Sequence, residues 1–103
     1  MPKLPKNEIM ASLAGLKEWK YNTEKDILVM ECEFKDFVKA MEFVNLVADV
    51  AERLDHHPDI TIHGWNKVKI ATMSHDLNAI TERDINLVNE IEICRSDFLE
   101  SEE

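Results

Sequence analysis

The sequence predicts a single α+β domain spanning residues 1–103, with a four-stranded antiparallel sheet and three helices packed on one face, in the order α-β-β-α-β-β-α. A length of 103 residues suits one domain. A content of 45% hydrophobic and 32% charged residues indicates a globular chain rather than a disordered one. Strands that are adjacent in sequence favour antiparallel pairing, and amphipathic helices around them would cover one face of the sheet.

The first three elements are short. Ile9, Leu13 and Leu16 recur at helical spacing and predict a helix from about Asn7 that stops near Gly15. Trp19 and Tyr21 then share one face of a short strand. After a polar turn over 22–25, a second strand over 27–34 places four apolar residues on one face: Leu28, Met30, Cys32 and Phe34.

The longest helix follows Asp36, whose side chain suits an N-cap. It should run for about 18 residues, or roughly 27 Å, and end before Pro58, because the residue before a proline is disfavoured in the α conformation. Its predicted apolar stripe is Phe37, Met41, Val44, Val47 (or Ala48), Ala51 and Leu54.

Two more strands and a last helix complete the chain. The strands are expected over 60–62 and 67–73, around the turn His63-Gly64-Trp65-Asn66. Thr81-Glu82-Arg83-Asp84 resembles a capping box in which Asp replaces the usual Glu. The helix that follows carries Ile85, Val88, Ile91, Arg95 and Phe98 at helical spacing.

The charge balance excludes several classes of function. There are 12 Lys and Arg residues against 21 Asp and Glu, a formal net charge of −9. Binding to bulk nucleic acid or to an anionic membrane requires a basic face, so neither is expected. No apolar run reaches the ~18 residues of a membrane span.

Cys32 and Cys94 form no CxxC motif, and we expect free thiols in a reducing, cytoplasmic setting.

All four histidines lie between positions 56 and 75, and His56 and His57 stand where the long helix must stop. The partial negative charge at a helix C-terminus, with Asp55 beside the pair, favours the imidazolium form, which suits general-acid chemistry. The alternative is that both histidines simply cap the last helical carbonyls.

Other polar residues also allow two interpretations. His75 ends a strand, where functional groups are common, but it can be structural. Asp84 lies in the first turn of a helix, where a carboxylate is favourable with or without chemistry. Trp65 could stack on a flat ligand or belong to the core.

His56, His63 and His75 could supply three metal-binding nitrogens, but the chain lacks HExxH and CxxC motifs, so no metal site is expected.

The pattern Glu52-x3-His56-His57-Pro58-x6-Trp65-x9-His75-x8-Asp84 resembles the signature of the pterin-4a-carbinolamine dehydratases, also known as the dimerisation cofactor of hepatocyte nuclear factor family. The resemblance implies a 4a-hydroxytetrahydrobiopterin dehydratase, a lyase that converts 4a-hydroxytetrahydropterin to quinonoid dihydropterin. It further implies that no metal or organic cofactor takes part. The product is then recycled to the tetrahydropterin that aromatic amino acid hydroxylases use.

The same resemblance suggests residue roles. His56, His57 and His75 are the predicted catalytic residues, with His56 and His75 transferring protons and His57 positioning the pterin. Glu52 and Asp84 are expected either to orient histidines or to bind the pterin's amino-pyrimidine edge. The predicted substrate-binding residues are Glu52, Asp55, Trp65, Ser74, Arg83 and Asp84, although Arg83 can equally be a solvated charge.

The chain departs from the family pattern at two loops. Gly64 is an extra residue before Trp65, where relatives often have Tyr. The loop over 76–80 lacks the glycine that relatives usually carry, but Asn78 can adopt the left-handed conformation in its place.

Resemblance to this family also implies partners. We expect a homodimer or homotetramer and a functional link to an aromatic amino acid hydroxylase. The alternatives are a protein-interaction module that acts as a dimerisation cofactor or transcriptional coactivator, and a relative recruited to molybdopterin metabolism.

Overall fold

The computed structural model describes residues 2–101. Its element order is the predicted one, and the α+β class is confirmed. The elements are α1 (Lys6–Leu13), β1 (Trp19–Asn22), β2 (Ile27–Glu33), α2 (Phe37–Leu54), β3 (Asp59–His63), β4 (Lys67–Thr72) and α3 (Glu82–Ser101). Over these 100 positions, no helix is both long and apolar enough to cross a membrane.

The four strands form one antiparallel sheet in the order β1-β2-β4-β3. The register places Trp19 opposite Met30, Met30 opposite Ile70, and Ile70 opposite Ile60. This row of apolar side chains crosses the whole sheet on one face, since partners in register share a face. The central strands β2 and β4 therefore carry the most buried part of the sheet.

The helices pack on that same face. Ile9 of α1, Phe43 of α2 and Leu87 of α3 are fully buried in one core with the sheet residues. Phe34, Phe43 and Phe98 form an aromatic cluster, with ring centroids 4.9–6.1 Å apart. The opposite face of the sheet carries mostly exposed polar residues, with half-buried Val29 and Ala71 side by side at its centre.

The predicted apolar stripe of α2 is partly wrong. The buried residues of this helix are Ala40, Phe43, Val47, Val50 and Ala51. Phe37 and Met41, which belong to the predicted stripe, are 50% and 38% exposed, and their neighbour Val38 is 63% exposed. Because α2 has apolar residues on two adjoining sides, helical periodicity alone does not determine which side meets the sheet.

Both cysteines are free, as expected, and each is half-buried. Burial raises the pKa of Cys32 to about 11, against an ordinary value of 9.0. It also raises the pKa of Cys94. A thiol acts as a nucleophile in its thiolate form, so neither cysteine is disposed to react at neutral pH.

The N-cap of α2 gives a test of this local structure. Asp36 is extended, and its side chain accepts a hydrogen bond of 2.8 Å from the backbone N–H of Lys39. Asp36→Ala should lower the free energy of unfolding by about 1 kcal/mol. The melting temperature should fall by roughly 4–8 °C. Asn45→Ala, an exposed change in the middle of the same helix, is the control and should not lower it. Equal melting temperatures for Asp36→Ala and the wild type would contradict the capping role.

Candidate active site

Helix α2 ends in a tight cap that sends His56 and His57 in different directions. Asp55 has φ +52°, in the left-handed region, and its backbone N–H donates to the carbonyls of Ala51 and Glu52. The N–H of His56 also donates to Ala51, at 3.1 Å. The chain after the cap is irregular, so His56 turns into the protein, where it is 9% exposed, while His57 stays exposed.

The buried ring of His56 is hydrogen-bonded to the carboxylate of Asp84. His56 Nε2 lies 2.6 Å from Asp84 Oδ1, and the Asp84 side chain has no exposed surface. A buried carboxylate must be compensated by hydrogen bonds or charge, and Asp84 accepts three more hydrogen bonds. These come from the Thr72 hydroxyl at 2.6 Å, the Ser74 hydroxyl at 2.8 Å and the Thr81 backbone N–H at 3.0 Å.

This network assigns the proton on His56. An ionised carboxylate only accepts hydrogen bonds, so Nε2 of His56 is the donor to Asp84. The contact with Asp84 therefore uses Nε2 of the ring and not Nδ1. The hydroxyl of Ser74 also bonds to that of Thr81, at 2.7 Å, and thereby links the end of the sheet to the start of α3.

His75 is carried by a compact loop between β4 and α3. Ser74 and Ala79 form an isolated antiparallel bridge, and Asn78 has φ +51°. The expected left-handed conformation of Asn78 is therefore confirmed. The turn leaves His75 exposed beside the end of α2.

A shallow depression of about 420 Å³ opens where the end of α2, the end of β4 and the start of α3 meet. Arg83 donates a 2.6 Å hydrogen bond to Asp76 Oδ1 at its edge. This contact with the guanidinium holds the pKa of Asp76 below its ordinary value. The residues that line the depression are Asp55, His56, His57, Met73, His75, Asp76 and Arg83.

The predicted site residues fall into four groups. His56, His57, His75, Asp55 and Arg83 line the depression.

Glu52 lies beside it and pairs with His57 Nε2. Ser74 and Asp84 are fully buried underneath, where Asp84 orients a histidine and neither side chain has surface for direct contact with a ligand. Trp65 lies apart from these residues, 61% exposed in the turn between β3 and β4, with φ +62°.

The fourth histidine stands outside the site. His63 is exposed on the polar face of the sheet, where Nε2 is 3.1 Å from Glu31 Oε2. Within residues 2–101, no group of three or more His, Cys, Asp or Glu side chains is arranged to hold a metal ion.

Three residues of the site were not predicted: Thr72, Met73 and Asp76. Thr72 did leave a signal in the sequence, since it follows Val68 and Ile70 at strand spacing on the apolar face. A hydroxyl at such a position needs a buried partner. Met73 and Asp76 depend on the shape of the loop and carry no comparable signal.

Comparison with known proteins gives a consistent family. A family model described as pterin 4 alpha carbinolamine dehydratase matches residues 2–94. A relative from Metallosphaera sedula is 37% identical over 92 residues, covering 89% of this chain and 93% of its own. One from Acidobacterium capsulatum is 44% identical over 92 residues, covering 89% and 97%. The names of both relatives place them in that family.

Two solved structures are similar in fold. A transcriptional coactivator/pterin dehydratase from Brucella melitensis is 29% identical, with a TM-score of 0.82 over 90% of this chain and 98% of that one. A pterin dehydratase-like RuBisCO assembly factor of the alpha-carboxysome is 18% identical, with a TM-score of 0.62 over 75% and 88%, a likeness of fold alone. Because the family model matches nearly the whole chain, this chain belongs to the pterin 4 alpha carbinolamine dehydratase family.

Proposed function

We propose that this chain dehydrates 4a-hydroxytetrahydropterin to quinonoid dihydropterin by histidine general acid–base catalysis. The observation that carries the proposal is that His56, His57 and His75, which come from two separate loops, line one depression. A supply of 4a-hydroxytetrahydropterin implies a hydroxylase of aromatic amino acids upstream. The reaction returns its pterin cofactor to the recycling route.

The chemistry requires one proton donor and one proton acceptor. The C4a–O bond breaks and the hydroxyl leaves as water once it has gained a proton. The N5–H proton is lost as the C4a–N5 double bond forms. Histidine serves both steps near neutral pH, and general acid–base catalysis is typically worth about 10²–10⁴-fold in rate.

We assign the two proton transfers to His56 and His75. His56 is fixed by Asp84 through Nε2, so Nδ1 is the atom that exchanges the proton. His75 is exposed in the loop after β4, where its ring is open to a ligand in the depression. His57, which is paired with Glu52, positions the pterin.

The remaining predicted residues take supporting roles. The amino-pyrimidine edge of a pterin presents N–H donors, and the carboxylate of Asp55 lines the depression as an acceptor. Ser74 and Asp84 act through His56 because both are buried. Contact between Trp65 and the pterin stays a prediction, and the position of Trp65 outside the depression gives it no support.

Self-association is the second part of the proposal. The exposed part of α2 carries an apolar patch made of Phe37, Val38, Met41 and Val44. We call this patch the α2 stripe; it differs from the apolar stripe predicted from the sequence, which also included Val47, Ala51 and Leu54. A patch of this kind on a small domain is typical of a protein–protein contact. We assign it to contact with a second copy of the chain, in a dimer or tetramer. A coactivator role would use the same kind of surface and is the alternative.

Activity can be tested directly. EDTA-treated protein should accelerate the ultraviolet decay of 4a-carbinolamine generated in situ, because the proposed mechanism uses histidines alone. The matched control is the His56→Ala, His75→Ala double variant. A wild-type rate equal to that of buffer would contradict the function. A rate that appears only after a metal salt is added would contradict the metal-free mechanism.

The division of labour among the histidines gives a second test. His56→Ala and His75→Ala should each lower kcat by roughly 10–10³-fold, and the double variant should be nearly inactive. His57→Ala should mainly raise KM, since that ring positions the pterin. His63→Ala is the matched control and should keep the wild-type kcat and KM.

Circular dichroism must first show that each variant is folded. A folded double variant with wild-type kcat would refute the assignment. Loss of turnover in His57→Ala with unchanged KM would transfer a proton-transfer role to His57.

The α2 stripe gives a third test. Light scattering at micromolar concentration should show a species larger than the 12.0 kDa chain. Val38→Glu should shift it toward the monomer, because it places a charge in the apolar contact. A carboxylate in the first turn of a helix is favourable, so folding should survive. Thr23→Glu, an exposed turn position with the same change in charge, is the control. A monomeric wild type would rule out this part of the proposal.

A further inference from the structure

Thr72 is a polar residue at a core position. It is the last residue of β4, it is 2% exposed, and it shares its face of the strand with Val68 and Ile70, both fully buried. A hydroxyl in such a place is costly unless it is hydrogen-bonded. Its donor contact is with Asp84 Oδ1, at 2.6 Å.

The oxygen that Thr72 contacts is the one that holds His56. Asp84 Oδ1 accepts from both Thr72 Oγ1 and His56 Nε2, each at 2.6 Å, and the two donor atoms are 3.5 Å apart. The other oxygen, Oδ2, accepts from Ser74 and from the Thr81 backbone. Within residues 2–101, Thr72 carries the one hydroxyl that donates to the same Asp84 oxygen as His56 does.

We propose that Thr72 is a positioning residue for His56, an inference that rests on the proposed dehydration. Its hydroxyl occupies one lone-pair direction of Oδ1 and leaves the other to His56 Nε2, which fixes the ring where His56 lines the depression. Proton transfer depends steeply on the placement of the reacting atoms, so a ring that is free to tilt transfers protons more slowly.

The other donors to Asp84 have structural duties that Thr72 lacks. Ser74 and Thr81 join the loop to the start of α3, and the Thr81 N–H bond closes the first turn of that helix. Removing either would disturb α3 as well as Asp84. The hydroxyl of Thr72 contacts Asp84 and lies beside His56, so its loss tests ring position without removing a helix cap.

The test uses Thr72→Val, which keeps the shape and removes the hydroxyl, and Thr72→Ser, which restores it. Thr72→Val should lower kcat about 10-fold with KM unchanged. An effect of this size is typical when a metal-binding histidine loses the hydrogen-bond partner that orients its ring, and we expect the same for a ring oriented without a metal. Thr72→Ser should recover most of the rate. Thr61→Val, on the solvent face of β3, is the matched control and should change neither parameter.

Proton NMR gives a readout that does not need substrate. The Nε2–H resonance of His56 should move in Thr72→Val and return in Thr72→Ser, because the bond strength at Oδ1 changes. In the wild type, the buried Thr72 hydroxyl proton should show a nuclear Overhauser contact with Nε2–H of His56. This wild-type measurement decides the matter if Thr72→Val fails to fold, since absence of the contact overturns the shared-oxygen arrangement.

The outcomes separate two failures. An active wild type with a folded Thr72→Val of wild-type kcat, or with a raised KM alone, overturns the positioning role and leaves the proposed function intact. A wild type without dehydratase activity overturns the proposed function, and with it the effect of Thr72 on rate.

Discussion

The buried carboxylate of Asp84 is the constraint on which the rest of the site depends. A charge with no exposed surface is stable only when its hydrogen bonds are fully supplied, and Asp84 receives four. The donors come from the end of β4, the loop after it, the start of α3 and the chain just beyond α2. Because all must converge on one group, Asp84 fixes the relative position of three elements and holds His56 at their junction.

The position of Asp84 in the chain makes this burial feasible. It lies in the first turn of α3, where the unpaired N–H groups and the helix dipole favour negative charge. The sequence shows this much, since Thr81-Glu82-Arg83-Asp84 is a recognisable helix start. The same residues serve two purposes, because the carboxylate that accepts from the Thr81 N–H also accepts from the proposed proton-transfer histidine. Folding of α3 and orientation of His56 are thereby coupled.

The sequence predicts most of the fold because periodicity and turn residues are local signals. It fails at α2, where apolar residues cover two sides and the choice of side depends on packing against the sheet. That His56, His57 and His75 lie together in one depression was also predicted, from their spacing and the family resemblance. Trp65 is a different case: the motif includes it, but it lies in the turn before β4, at the opposite end of that strand from the depression. A spacing pattern does not show at which end of a strand a residue lies.

Helix α2 carries two features that lie far apart. Its 18 residues span about 27 Å, with the exposed α2 stripe near the first turns and His56 just beyond the last. The three histidines of the depression lie together within a single chain, where the ends of α2, β4 and α3 meet. Assembly is therefore not required to bring the three histidines together. Changes to the α2 stripe and changes to the depression should act independently, as expected for well-separated sites.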